Sequence, residues 1–217
     1  MSAEAPPSPL PIALCLLGRR VVVVGGGPEA ADKIPKLLGA GARVEVVALT
    51  VPESIAAASR ARCLRWWARS LCESDLTAAD LVLLVDPDPL LARRLRGLKG
   101  CYGYMFAAVD QPEVSDFYFV SIVRRGPIQI GISTGGRAPL LARTLRKALE
   151  AGLDARFTAF AEQMVALREQ YRVLAKPARI AALSRAFAGF ALELRLRYPG
   201  ETPENVQPDT DADPRTR

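Results

Sequence analysis

Residues 21–33 read VVVVGGGPEAADK: an apolar, β-branched run that stops at three glycines, a proline and an acid before an alanine-rich stretch begins. Four valines in succession suit a strand buried on both faces, as in a parallel sheet. Residues 29–40 (EAADKIPKLLGA) then carry apolar positions at helical spacing, interrupted by Pro35. At the junction, Gly25, Gly27 and Ala30 fit the pattern G-x-G-x-x-G/A. There the first glycine permits a tight turn, the second lets backbone approach a pyrophosphate, and the small third residue lets helix and strand pack closely. Helix N-terminal amides then face the phosphate, and Pro28 suits a first helical position, where no amide hydrogen is needed. The same letters also describe a plain glycine turn between a buried strand and a helix. The acid that commonly reads an adenosine ribose is missing where the second strand ends, at Ala48, Leu49 and Thr50, and Glu45 sits mid-strand. The charges therefore leave NAD against NADP open.

Outward from this unit, GARVEVVALT supplies a second strand at 43–48, CLRWWA a third, and ADLVLLV at 79–85 a fourth, followed by a helix through PLLARRLRGLK. Strands alternating with helices imply an α/β fold with a doubly wound, mostly parallel, Rossmann-like sheet. After CYGYMFAAVD the pattern changes. FYFVSIV and IQIGIS are strands separated only by RRGP, too short a link for a parallel crossover, so they form an antiparallel hairpin. TGGRAPLLARTLRKALEAGL is a glycine turn leading into an amphipathic helix with Leu141, Leu145 and Leu149 on one face. Residues 154–198 are helical again, with Phe157, Phe160, Met164 and Leu167 in register, then Ile180, Leu183, Phe187 and Phe190 after a break at Pro177. The last stretch, residues 200–217, is polar and proline-bearing and is expected to be disordered. No internal repeat is present.

Composition narrows the function. Half of the 217 residues are apolar, enough for one good-sized core with a smaller appendage. There are four cysteines without a CxxC pair and no histidine, which excludes zinc-ligand spacing and Cys/His catalysis. The cysteines read as reduced, packed in the core and cytoplasmic. The opening MSAEAPPSPLPIALCLLGRR has an apolar patch broken by Pro9 and Pro11 with Glu4 ahead of it, which fits neither a secretory signal nor a membrane span. Net charge is +6, yet 23 acids are spread through the chain and only 6% of residues are aromatic, so a small anionic ligand is expected rather than nucleic acid.

Four segments together resemble one family. LPIALCLLGRRVVVVGGGPEAADK, LLGAGARVEVVALT, AAVDQPEVSDFYFVSIVRRGPIQIGISTGG and RAPLLARTLRKALE occur in the order and spacing of the precorrin-2 dehydrogenase and sirohydrochlorin ferrochelatase family, the sirohaem-synthase N-terminal module. The resemblance spans roughly residues 10 to 200, and its most specific pieces are the ISTGG-x-x-P-x-L-A-R block at Ile132 to Arg143 and the V-D-x-P-x-x-x-x-F block at Val109 to Phe117. It implies an NAD-binding Rossmann-like domain at 1–113, a hairpin and helix dimerisation region at 114–150 and a small helical C-terminal domain at 151–199, with the polar tail at 200–217 beyond them. It also implies oxidation of precorrin-2 to sirohydrochlorin by hydride transfer to NAD, in some members with insertion of ferrous ion to make sirohaem.

Asp110 matches the acid that the family uses in catalysis. Hydride departs to the nicotinamide while the macrocycle sheds a proton, and a carboxylate just past a sheet strand could accept that proton, or pyrrole protons during metal insertion. Capping of the DQPE turn is the plainer role for the same side chain. By the resemblance, cofactor contacts fall on Gly25, Gly27, Pro28, Glu29, Ala30, Leu49 and Thr50, and substrate contacts on Thr134 and Arg137, with a helix-start hydroxyl as the plainer role of Thr134. Arginine forks suit the carboxylates of a tetrapyrrole, so Arg124, Arg125, Arg137 and Arg143 could meet them or equally form a solvated hairpin tip and helix face; the solvated reading is the better one for Arg124 and Arg125, and Arg137 is open to either use. No protein-held metal is expected.

The chain departs from the family pattern close to these positions. Ala107 replaces a common asparagine, Glu29 a small apolar residue, Asp32 an arginine, and Ala92 an asparagine. Glu29 places negative charge where a pyrophosphate is expected. Two readings therefore stand: an active dehydrogenase, and a non-catalytic dinucleotide- or tetrapyrrole-binding protein of the same fold. A homodimer built around residues 117–145 is expected, because two apolar strands would expose too large a patch in a monomer. The chain ends where a fused methyltransferase would begin, so another protein is expected to make the substrate.

Overall fold

A computed structural model describes residues 9–193, 195 and 196; the tail expected at 200–217 lies outside them. The chain runs β1 (Arg20–Val24), α1 (Pro28–Gly39), β2 (Arg43–Val47), α2 (Glu53–Arg60), β3 (Arg65–Trp67), β4 (Leu81–Leu84), α3 (Pro89–Tyr102) and β5 (Met105–Ala108). It continues through β6 (Ser121–Arg125), β7 (Ile128–Ile132), α4 (Pro139–Gly152), α5 (Ala155–Gln170) and α6 (Lys176–Ala186). The first five strands form one parallel sheet in the order β3-β2-β1-β4-β5. The chain moves outward from β1 through β2 to β3, then crosses back to place β4 on the other side of β1. That reversal makes the gap between the carboxyl ends of β1 and β4 the natural crevice for a ligand.

The period of two sorts the strand residues onto two cores. Val21, Val23, Val44, Val46, Leu81 and Leu83 meet Ala30, Ile34 and Leu37 of α1 on one face. Val22, Val24, Val82, Leu84 and Phe106 meet Ala92 and Leu95 of α3 on the other. Val21, Val22 and Val23 are completely buried, each worth about 2 kcal/mol of apolar transfer. Helix α1 runs unbroken through Pro35. Pro35 faces solvent while Ile34 and Leu37 beside it are buried, so packing against the sheet holds the helix across the missing amide.

The hairpin β6-β7 pairs antiparallel from Ser121 opposite Ile132 to Arg125 opposite Ile128. Its first strand starts at Ser121 and not at the expected Phe117, because Phe117 and Phe119 pack against the sheet core as an edge-on ring pair, centroids 6.2 Å apart. Arg125 is no solvated tip residue: its guanidinium donates to the Leu153 carbonyl at 2.7 Å and to the Glu150 carbonyl, closing the end of α4.

The described residues divide into two compact units, one up to Thr158 and one from Ala159. In the second, Phe160 stacks on Phe190 with centroids 4.9 Å apart and meets Phe187 edge-on at 5.8 Å. The expected break at Pro177 falls earlier, at Leu174 and Ala175, both in extended backbone; Pro177 lies in the first turn of α6, where proline is tolerated. The expectation of core cysteines is overturned. Cys15, Cys63, Cys72 and Cys101 are all exposed and free, since they lie in loops, a turn and a solvent-facing position of α3. Among the described residues, no helix is long and apolar enough to cross a membrane.

Candidate active site at the carboxyl ends of the strands

Strand β1 delivers the chain into Gly25, whose amide donates to the Val47 carbonyl at 3.0 Å and whose φ of +106° favours glycine. A Cβ on Gly26 would lie 2.0 Å from the Thr50 carbonyl oxygen, and one on Gly25 or Gly27 would lie 2.6 Å from the Asp86 carboxyl group. All three glycines are thus required by close approach, and what approaches is the chain itself. Asp86, two residues beyond β4, accepts from the Gly26 amide at 3.1 Å and from the Gly27 amide at 3.0 Å. The turn therefore does more than reverse direction: its amides converge on an anion. The Asp86 carboxylate stands where a phosphate oxygen pair would sit, so the loop fits the pyrophosphate of a dinucleotide by donor chemistry.

Pro28 opens α1 and is exposed, and Ala30 is completely buried against the sheet, as the small third position of the motif requires. Glu29 does not leave an unbalanced charge, because the Lys33 ammonium lies 3.0 Å away on the next turn. Asp32 joins both Lys33 at 2.8 Å and Lys36 at 2.7 Å. Burial opposes charge on Asp32 and on Lys33, but their hydrogen bonds win: the carboxyl is held below its usual range and the ammonium above its own. Leu49 and Thr50 are exposed just past β2, with the preceding Ala48 carbonyl fixed by the Trp66 indole at 2.9 Å.

Asp110 follows β5 on this same edge. It is exposed and has φ of +59°, a left-handed conformation that costs a non-glycine residue about 1 kcal/mol and that aspartate tolerates better than most. The loop that imposes this conformation is pinned at both ends. Val109 donates to the Leu84 carbonyl at 2.9 Å, continuing the ladder to the residue before the acid. Ser115 Oγ accepts from the Ala108 amide at 2.9 Å and donates to the Gln111 carbonyl at 2.8 Å. Asp116 accepts from the Phe106 amide at 2.8 Å and from Lys99 at 2.6 Å, so its carboxyl is held low despite burial that opposes the charge. Ser115 and Asp116 fill the outer edge of β5, and the turn needs no cap from Asp110.

Thr134 and Arg137 lie on the loop between β7 and α4. Thr134 Oγ1 accepts from the Ala138 amide at 3.2 Å, the helix-start role, and Gly135 and Gly136 turn the loop with φ of +62° and +75°. Arg137 and Arg143 are exposed. Arg124 is exposed, as a solvated tip requires, and borders a cleft of about 460 Å³ with Lys33, Lys36, Arg146 and Asp32. Ala107 and Ala92 are buried in the two cores, so at both positions apolar packing stands in place of a polar group. Among the described residues no cluster of three His, Cys, Asp or Glu side chains could hold a metal ion.

Sequence reading missed Asp86, Ser115 and Asp116. A signal for Asp86 exists in VDPDP at 85–89: two acids directly past a buried strand, of which Asp88 caps α3 through the Leu90 and Leu91 amides at 3.1 and 2.9 Å, leaving Asp86 for another task.

Comparison with known proteins agrees with this geometry. A family model described as "Putative NAD(P)-binding" matches residues 12–121, half of the chain. The chain belongs to this family. A second model, "Sirohaem biosynthesis protein central", matches residues 125–151, the hairpin and α4. This NAD(P)-binding chain is 37% identical over 182 residues to "Siroheme synthase 1" of Pectobacterium atrosepticum, covering 83% of itself and 38% of that protein. It is 40% identical over 141 residues to "Siroheme synthase" of Neisseria meningitidis, covering 65% and 29%. It is also 32% identical over 199 residues to "Siroheme synthase" of Methylococcus capsulatus, covering 91% and 42%. The chain thus spans well under half the length of these relatives. Among solved structures, "SirC, precorrin-2 dehydrogenase" matches its fold with a TM-score of 0.71 at 24% identity, over 81% of this chain and 88% of that one.

Proposed function

We propose that this protein is a precorrin-2 dehydrogenase that uses NAD, oxidising precorrin-2 to sirohydrochlorin in sirohaem biosynthesis. The observation that carries the reading is Asp110, an exposed carboxylate held in a left-handed conformation on the same sheet edge as an anion-binding glycine loop. Gly25, Gly27, Pro28, Glu29 and Ala30 would hold the pyrophosphate end of the dinucleotide, with Leu49 and Thr50 beside its adenosine. When bound, the dinucleotide supplies the hydride acceptor. Asp110 takes the proton: the electron pair of a macrocycle C–H bond leaves with the hydride, a ring N–H or C–H gives its proton to the carboxylate, and the ring gains a double bond. If ferrous ion is a further substrate, the same carboxylate accepts the pyrrole protons displaced on insertion.

Arg137 is proposed to meet substrate carboxylates and Thr134 to donate its hydroxyl hydrogen beside them; the cations of the Arg124 cleft add positive field for a polyanion. Leu140, Leu141 and Leu145 of α4 and Ile128 of the hairpin are exposed apolar side chains in one unit, which supports a homodimer built around residues 117–145. Light scattering is expected to give the dimer mass; a monomer at micromolar concentration contradicts it. Exposed free thiols suit the reducing cytoplasm, and neither nucleic acid nor membrane is a proposed partner. The second reading, a non-catalytic binding protein, is favoured by the apolar Ala107 beside the site. Anaerobic mixing with precorrin-2 and NAD separates the two: the enzyme yields NADH and sirohydrochlorin in equal amounts, whereas the binder yields neither.

A further inference from the structure

The anion seat of the glycine loop is already filled from within. Both carboxylate oxygens of Asp86 are engaged by it, one on the Gly26 amide and one on the Gly27 amide. Pro28 has no amide hydrogen, and the Ala30 amide donates to the Gly27 carbonyl at 3.0 Å. A phosphate approaching the Gly26 and Gly27 amides meets donors that are taken and a carboxylate of its own sign. Glycine at 25 and 27 makes room for that carboxylate, since a Cβ at either would stand 2.6 Å from it. We infer that Asp86 is an internal stand-in for the cofactor's pyrophosphate, which the dinucleotide must displace, so that Asp86 sets how tightly the loop holds its cofactor.

The fold lets this side chain leave without unravelling anything. Upstream, the Val85 amide is fixed on the Val24 carbonyl at 2.9 Å, and downstream Asp88 caps α3 independently. Displacement is then a rotation of one side chain at the crevice between β1 and β4. With the cofactor absent, Asp86 keeps two buried-edge amides satisfied and the loop in its binding shape; with it present, the carboxylate returns to water at the expense of affinity. Faster release of the reduced dinucleotide follows from the same competition.

This inference rests on the dinucleotide reading above, and calorimetry of the full chain with NADH tests both. Asp86→Asn removes the competing charge and turns one amide contact into donor against donor; NADH is expected to bind about tenfold more tightly. Inorganic pyrophosphate is expected to compete with NADH more effectively in the variant than in the wild type. In the wild type, the Gly26 and Gly27 amide resonances are expected to shift on NADH addition, a readout that stands even if the variant fails to fold. Equal or weaker NADH binding by a folded Asp86→Asn protein, or unmoved Gly26 and Gly27 signals at saturation, overturns the role of Asp86 alone. NADH binding to neither protein removes the dinucleotide reading as well.

Discussion

The two ends of the parallel sheet solve opposite problems. At the amino ends of the strands the charges are matched to each other. Arg20, the first residue of β1, grips Glu45 with two bonds of 3.1 Å, donates to the Asp75 and Thr77 carbonyls at 2.9 and 2.7 Å, and gives its backbone amide to Asp80 at 2.8 Å. Arg19 reaches Asp80 at 2.9 Å, and next to this network Asp75, whose carbonyl Arg20 holds, takes both forks of Arg69 from the residues after β3 at 2.7 and 2.6 Å. At the carboxyl ends, one acid sits on backbone amides and another stands exposed on a left-handed residue. The first end is built for stability, while the second keeps its donors and acids where a ligand can use them.

The sharpest way to break this contrast is Asp110→Asn, which is expected to lower turnover by about 10²- to 10⁴-fold with the melting temperature unchanged. Asp110→Gly should cost as much activity yet raise stability by about 1 kcal/mol, because glycine relieves the left-handed conformation; equilibrium denaturation measures it.

At the opposite end, Arg20→Ala should leave KM and kcat unchanged while removing about 3 kcal/mol of stability, since it strands a half-buried Glu45. Urea unfolding checks the loss. Asp75→Asn is expected to cost about 2 kcal/mol, again without a kinetic effect.

Asp75 also fixes the sign of the acid response. The Arg69 guanidinium holds its carboxyl well below the usual carboxylate range, against burial that pushes it up; Arg20 does the same for Glu45, more weakly, and its amide does so for Asp80. Folded values lie below unfolded ones, so this stability is fully present above the ordinary carboxylate range and is lost as pH falls through it toward the folded values. Melting temperatures should drop steeply below about pH 4, and Asp75→Asn should flatten that drop.

The smallest expected effect is Thr134→Ala, which removes the hydroxyl that receives the Ala138 amide and should cost about 1 kcal/mol. A larger fall in kcat/KM than in stability would give Thr134 a substrate role beyond the helix start.

The unbroken apolar runs VVVV and LVLL, the glycine junction and the short RRGP link made the mostly parallel sheet and the hairpin legible in sequence. Each is a local pattern, and local patterns survive translation into letters. Asp86 was not legible because its partners are backbone amides about sixty residues away, and amides carry no letter. Ser115 and Asp116 were hidden for the same reason: both act on the backbone of β5. The cysteines misled because an apolar residue type was read as a buried one, whereas exposure was decided by the loops and the outward-facing position of α3 that carry them. Asp110 was found through the resemblance, and its left-handed conformation adds a physical reason that the sequence could not express.

The measurement that tests the central claim most directly compares wild type and Asp110→Asn, both shown folded by circular dichroism, in anaerobic turnover of precorrin-2 with NAD. The account predicts that the wild type forms NADH and sirohydrochlorin one for one and that the variant binds both ligands yet turns over at least about a hundredfold more slowly. Equal turnover by the two proteins would contradict it.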